Sequence, residues 1–273
     1  MNNKIYCSTG TIVGRANGFN YKLFTENHKN IEADGFELMM VHAYYPILSE
    51  LTREIDRSGA NIEVLHAEKD IGGLLSETDG ETVKKAFSDF EVNCTLAESL
   101  GAKKVVFHLW SAPHSDTFFE RNLSHLPYLI EISEKHGVEL LIENVPCMRR
   151  DPFTNLSEIE QRFQSVRFIF DTRFGAFHEQ TEKFLESEWI GNGKIAHMHF
   201  SDYTGPAHAF SSLRPIPHLG MGIVGFDKIM PIIAEKYHGS ITLESPEINE
   251  NASGIDKINI DLRYIKKHTF KAK

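Results

Sequence analysis

The chain is poor in several features, and each absence narrows what it can be. Its 273 residues include only three cysteines, Cys7, Cys94 and Cys147. They are odd in number, lack Cys-x-x-Cys spacing and read as reduced thiols of a cytosolic protein. Positive charge is in deficit. Lys and Arg number 29 against 38 Asp and Glu, a formal charge of −9, which argues against a uniformly basic nucleic-acid-binding surface but leaves room for a local basic patch. No apolar run approaches the ~20 residues of a membrane span. Met1-Asn2-Asn3-Lys4 leads straight into a strand-like segment without a signal-peptide pattern. The expectation is a soluble, cytoplasmic chain with no membrane partner. Linkers, low-complexity tracts and charge blocks are also missing.

The remaining composition is that of a globular protein, 41% hydrophobic and 25% charged. Length alone permits one large domain or two small ones. An α/β barrel takes about 250 residues, so a single domain over residues 1–273 fits.

Short runs rich in β-branched and apolar residues recur along the chain, each followed by a stretch with helical spacing. The strand candidates are residues 4–9, 35–41, 61–67, 103–109, 138–145, 166–171, 194–201 and 240–245. Runs such as Val105-Val106-Phe107 and Leu140-Leu141-Ile142 suit parallel strands covered by helices. After Asp79-Gly80, an apolar stripe of Val83, Ala86, Phe87, Phe90, Cys94, Ala97 and Leu100 predicts a helix. Phe226, Ile229, Met230 and Ile233 predict another. Gly101, Gly137 and Gly239 are expected as positive-φ helix ends ahead of strands, and Asn155 and Ser157 as N-caps. Eight strand–helix units imply a single (β/α)8 TIM barrel of the α/β class. An open doubly wound sheet is the competitor, and eight units favour closure. Residues 10–20, rich in glycine and polar groups, predict a long loop at the mouth.

A barrel carries its active site at the C-terminal ends of its strands. Here strand three ends in His66, four in His108, five in Glu143-Asn144 and six in Asp171. Strand seven delivers His197-Met198-His199-Phe200-Ser201-Asp202 and strand eight Glu244-Ser245. A lone strand-end His or Glu is usually a hydrogen-bonded or solvated group, and His42, His114, His125, His136, His238 and His268 are assigned to that class. Six consecutive strands each ending in His, Asp or Glu are harder to explain so. Charged side chains are rarely buried unless paired or bound to metal. Three converging carboxylates would resist ionisation without a cation. Mixed carboxylate and imidazole donors suit Mn, Zn, Co or Fe.

At these residues the sequence resembles the xylose-isomerase-like TIM barrels. That superfamily includes sugar-phosphate isomerases and epimerases, inosose isomerase-like proteins, ketose 3-epimerases and type IV AP endonucleases. The matching pieces are His66-Ala67, His108, Ile142-Glu143-Asn144, Asp171-Thr172, His199-Phe200-Ser201-Asp202 and Leu243-Glu244-Ser245-Pro246, with Leu219-Gly220-Met221-Gly222 as a glycine-rich turn before the last helix. The resemblance implies that Glu143, Asp171, His199 and Glu244 bind one divalent ion. In the endonuclease branch, counterparts of His66 and His108 join the bridging Glu around a second ion, so one ion or two are open here. That branch's third site uses a His where this chain has Phe174, and an Asp-x-His where Arg214-Pro215-Ile216-Pro217-His218 stands. Ketose 3-epimerases also place a His at the Phe174 position and an Arg where Gly205 stands. These departures leave the general isomerase class in front.

The expected activity is isomerisation or epimerisation of a small sugar, keto-polyol or sugar phosphate through a metal-stabilised enediolate, with Glu143 and Glu244 moving the proton. Asp171 and His199 act mainly as ligands. Asp202 either orients His199, meets a substrate hydroxyl or is a surface aspartate. His178 and His208, in mouth-side loops, are candidate substrate contacts, as are Arg15 and Arg173 for a phosphate or carboxylate. Trp110 either walls the pocket or packs. A metal-dependent lyase or dehydratase of a cyclic polyol or keto acid, abasic-DNA hydrolysis and a non-catalytic metal binder are the alternatives. The expected partner is a carbohydrate-like small molecule, nucleic acid being disfavoured. A homo-oligomer is left open.

Overall fold

A computed structural model describes residues 3–245 and 254–269. Pro246 of the last motif lies outside the described residues. Eight short strands alternate with helices: β1 (Ile5–Ser8), α1 (Lys22–Asn27), β2 (Phe36–Met39), α2 (Leu48–Ser58), β3 (Ile62–His66), α3 (Ile71–Leu75), α4 (Gly80–Ser99), β4 (Lys104–Phe107), α5 (Phe119–Lys135), β5 (Glu139–Glu143), α6 (Pro152–Arg162), β6 (Arg167–Asp171), α7 (Thr172–Phe177), α8 (Thr181–Glu186), β7 (Ile195–Phe200), α9 (Phe226–Lys236), β8 (Ser240–Leu243) and α10 (Ile255–Thr269). The strands follow one another in sequence order and close into a barrel. β8 lies parallel to β1, with Cys7 opposite Leu243. Among the described residues no helix is long and apolar enough to cross a membrane.

The chain divides into two compact units. One comprises Met1–Glu37, Ser58–Asn61 and Ile169–Lys273, the other Leu38–Arg57 and Ile62–Phe168. In the first, β7 pairs with β8 so that His199 stands opposite Thr242. Its core is aromatic, with Phe170 stacked on Phe184 at 4.7 Å between ring centres. In the second, β3, β4 and β5 run parallel. The α4 stripe drawn from the sequence packs inward there. Phe90 meets Phe107 edge-on at 5.0 Å, and both are fully buried. Burying a side chain of that size stabilises by about 1.5–3 kcal/mol, which is why the stripe fixes the helix against the strand.

Helix ends match some expectations and correct others. Asp79 caps α4 by accepting from the Thr82 amide at 2.9 Å. Gly101 and Gly137 adopt φ of 77° and 64°. Gly239 does not share that conformation. It is required instead because a Cβ there would lie 2.2 Å from Tyr237 Oη and 2.7 Å from Ala196 O. Asn155 and Ser157 do not cap α6. Asp151 does, accepting from the Thr154 amide at 2.9 Å with Pro152 opening the first turn. A proline there loses no helical hydrogen bond, since that amide would be unsatisfied anyway.

Candidate metal centre

Within the first unit, three expected ligands come together. Asp171 ends β6 and caps α7, its Oδ1 accepting from the Phe174 amide at 3.0 Å. Ser201 Oγ donates to the same carboxylate, 3.1 and 3.2 Å from its two oxygens. His199, in β7, is fully buried. Glu244 follows β8, its amide donating to Phe200 O at 2.9 Å. His199 Nδ1 lies 3.9 Å from Glu244 Oε1. Arg173, in the first turn of α7, brings Nη2 to 3.8 Å from Asp171 Oδ2 and 3.6 Å from Glu244 Oε2. Both separations exceed a hydrogen bond. The guanidinium therefore acts on both carboxylates through its charge at these distances. Its Nη1 donates to Leu213 O at 3.0 Å, and the group stacks over the Phe174 ring.

Behind His199 stands a residue that the sequence reading passed over. Glu37, on β2, is fully buried. Its Oε2 accepts from Thr242 Oγ1 at 3.0 Å and lies 3.1 Å from His199 Nε2 and 3.2 Å from His197 Nε2. Burial alone would push this carboxyl up, but His199 and His197 outweigh it and hold the group well below the usual carboxylate range. The signal was a single acid inside Phe36-Glu37-Leu38-Met39, which a strand-end search skips. His197 stands among the strand-seven end residues but carries no role in the sequence reading. Its Nδ1 lies 2.7 Å from Ser240 Oγ.

The second unit assembles His66, His108 and Glu143, with candidate ligand atoms within 4.8 Å of one another. His108 Nε2 approaches Glu143 Oε2 at 2.6 Å. Burial pushes this imidazole down to about 4, against the pull of the Glu143 carboxylate, so at neutral pH it is an uncharged donor. His66 donates from Nδ1 to Ala67 O at 2.8 Å. Its Nε2 lies 3.5 Å from Glu143 Oε2. Two imidazoles and a carboxylate gathered in one buried spot form a donor set that suits a divalent cation.

The remaining candidates are placed as follows. Asp202 is buried rather than on the surface. It accepts from the amides of Tyr203, Gly220 and Gly222 at 2.8 Å and of Val224 at 3.2 Å, which pins the glycine-rich turn. A Cβ on Gly222 would sit 2.3 Å from Tyr203 O. Trp110 is fully buried, donates to Val145 O at 3.1 Å and packs on Phe119. His178 is buried and meets the exposed His208 ring edge-on at 5.2 Å. Arg15 is exposed, in the turn that follows β1. Of the histidines assigned to hydrogen-bonding roles, His114 pairs with Glu77 at 2.8 Å and His136 with Glu98 at 2.7 Å.

The family described as xylose isomerase-like TIM barrel matches residues 25–268. No curated protein sequence matches the chain. Among solved structures, the chain resembles an IOLI protein with a bound zinc atom (18% identity, TM-score 0.73, covering 98% of this chain and 100% of that one). It also resembles a D-allulose 3-epimerase from Methylomonas sp. (14%, 0.71, 98% of each) and a 3-keto-D-glucoside 4-epimerase from E. coli (15%, 0.69, 97% and 99%). At these identities the likeness is one of fold.

Proposed function

Because the chain belongs to the xylose isomerase-like TIM-barrel family, we propose that it is a divalent-metal-dependent isomerase or epimerase of a small sugar, keto-polyol or sugar phosphate. The observation that carries this reading is the grouping of Asp171, His199 and Glu244 at the ends of β6, β7 and β8, with His199 Nδ1 3.9 Å from Glu244 Oε1. Two carboxylates and an imidazole form a donor set suited to Mn, Zn, Co or Fe. Glu143, at the end of β5, is the proposed fourth ligand. An ion held there supplies Lewis acidity, polarising a carbonyl and acidifying the neighbouring C–H. The chain's own part is proton transfer and orientation. One of Glu143 and Glu244 takes the proton and the other returns it. Asp171 is aimed by Ser201 Oγ and the Phe174 amide, which both donate to its carboxylate. Arg173, buried beside Asp171 and Glu244, offers its charge to an anionic oxygen of the substrate. A cytoplasmic setting fits three buried thiols outside any disulfide.

The His66, His108 and Glu143 cluster favours a second reading, a two-ion centre hydrolysing abasic DNA, against which the formal charge of −9 counts. Nicking of an abasic duplex tests it directly.

The test of the main reading is exchange of the substrate α-hydrogen with D2O across a panel of keto-sugars and their phosphates, with Mn2+, Co2+ or Zn2+ present. Glu143→Gln and Glu244→Gln should each lower turnover by about 100- to 10,000-fold while leaving circular dichroism unchanged. A variant that turns over near the wild-type rate removes its residue from proton transfer, and no exchange with any substrate removes the isomerase reading.

A further inference from the structure

We infer that Glu37 is a positioning residue that fixes the ligating nitrogen of His199, and that His197, Ser240 and Thr242 form the buried frame holding Glu37 in place. The inference rests on the metal reading above. Glu37 Oε2 already accepts from Thr242 Oγ1 and so serves as an acceptor for the groups around it. Glu37 Oε2, 3.1 Å from His199 Nε2, therefore requires the proton on Nε2. A neutral imidazole carries one proton, so the lone pair falls on Nδ1. That is the nitrogen facing Glu244 Oε1, the side on which the ion is proposed. With the tautomer reversed, the Nδ1 proton would point at the ion and the Nε2 lone pair at a carboxylate.

The frame is as specific as the contact. Thr242 Oγ1 donates to the same Glu37 oxygen, and His197 Nε2 lies 2.9 Å from that hydroxyl. Ser240 Oγ, at 2.7 Å, holds the other edge of the His197 ring. β7 and β8 supply this frame in register, His197 opposite Ser240 and His199 opposite Thr242. Two imidazoles thus share one carboxylate oxygen, yet only His199 also faces a proposed ligand. A carboxylate behind a ligating imidazole both orients the ring and raises its basicity.

The full chain, stripped of metal, is titrated with Zn2+ or Co2+ alone in competition with a chelator. Glu37→Gln should weaken the ion by about 10- to 100-fold. Thr242→Val removes one hydrogen bond but keeps the charge, and should lose much less. Nitrogen NMR of the zinc-loaded, histidine-labelled wild type should show the His199 proton on Nε2 and zinc on Nδ1. Unchanged affinity in folded Glu37→Gln, equal losses in the two variants, or zinc on Nε2 would each overturn the role of Glu37. Should Glu37→Gln fail to fold, the wild-type spectrum decides. A wild type that binds neither ion overturns the metal reading as well, an outcome distinguishable from unchanged affinity in the variant alone.

Discussion

The thiols of Cys7, Cys94 and Cys147 lie buried in the fold. Burial pushes Cys7 and Cys94 up to about 12, and Cys147 higher still. A thiol reacts as its thiolate, so at pH 8 the native protein should give almost no reaction with a disulfide reagent, and all three groups should react in denaturant. Fast labelling of the native chain would show that one of these sites opens. The odd count and spacing already read as reduced thiols. Their inertness depends on what surrounds them, which composition does not show. Glu37 and Arg173 divide in the same way. Arg173 follows Asp171 by two positions and was singled out from the sequence for a substrate anion, although its approach to both Asp171 and Glu244 needed coordinates. Glu37 lies mid-strand, where nothing in its neighbours marks it until β7 places two imidazoles beside it.

At the scale of the element, strand ends were legible and caps less so. A strand fully buried on both faces reads as an unbroken apolar run, and the polar residue closing it stands out, as Glu143 does after Leu140-Leu141-Ile142. Caps depend on one side chain and one turn, so Asn155 and Ser157 were as plausible as Asp151 until the backbone was seen. The loop after β5 gives a clear case. Asp116 accepts from the amides of Met148 and Arg149 with Oδ1 and of Arg150 with Oδ2, at 2.7–2.8 Å. Burial raises its pKa, but these amides outweigh it and the group sits below its ordinary value. A depressed carboxylate stabilises the fold fully above its unfolded pKa of about 3.9. That stability is lost as the pH falls through the lower folded value. Asp116→Asn should therefore cost about 1–3 kcal/mol at pH 7 and flatten the acid limb of the stability curve below about pH 4. Urea melts at pH 7 and at pH 3 measure both. An unchanged acid limb would assign the loop's order to other contacts.

For the whole molecule, ion binding should appear as stability. A ligand that binds only the folded chain at 100 times its Kd adds about 2.7 kcal/mol. In a chain of this size each kcal/mol raises Tm by about 2–4 °C. Protein stripped with a chelator should thus melt several degrees lower and recover on addition of Zn2+, Mn2+ or Co2+. Asp171→Asn should blunt the recovery. A Tm indifferent to every ion would count against the metal centre.

The sequence by itself determined the eight-fold alternation, its order and the acids and histidines at the strand ends. Period and burial are properties of neighbouring residues, and a parallel strand between helices leaves them in plain view. It also carried the resemblance to the family. Only the tertiary structure decided which of those groups face one another, that Asp202 is a buried clamp on the glycine turn, and that Glu37 stands behind His199. Contacts such as Glu37 with His199 join residues 162 positions apart. Such pairs form when distant strands are brought side by side, and no local pattern records them.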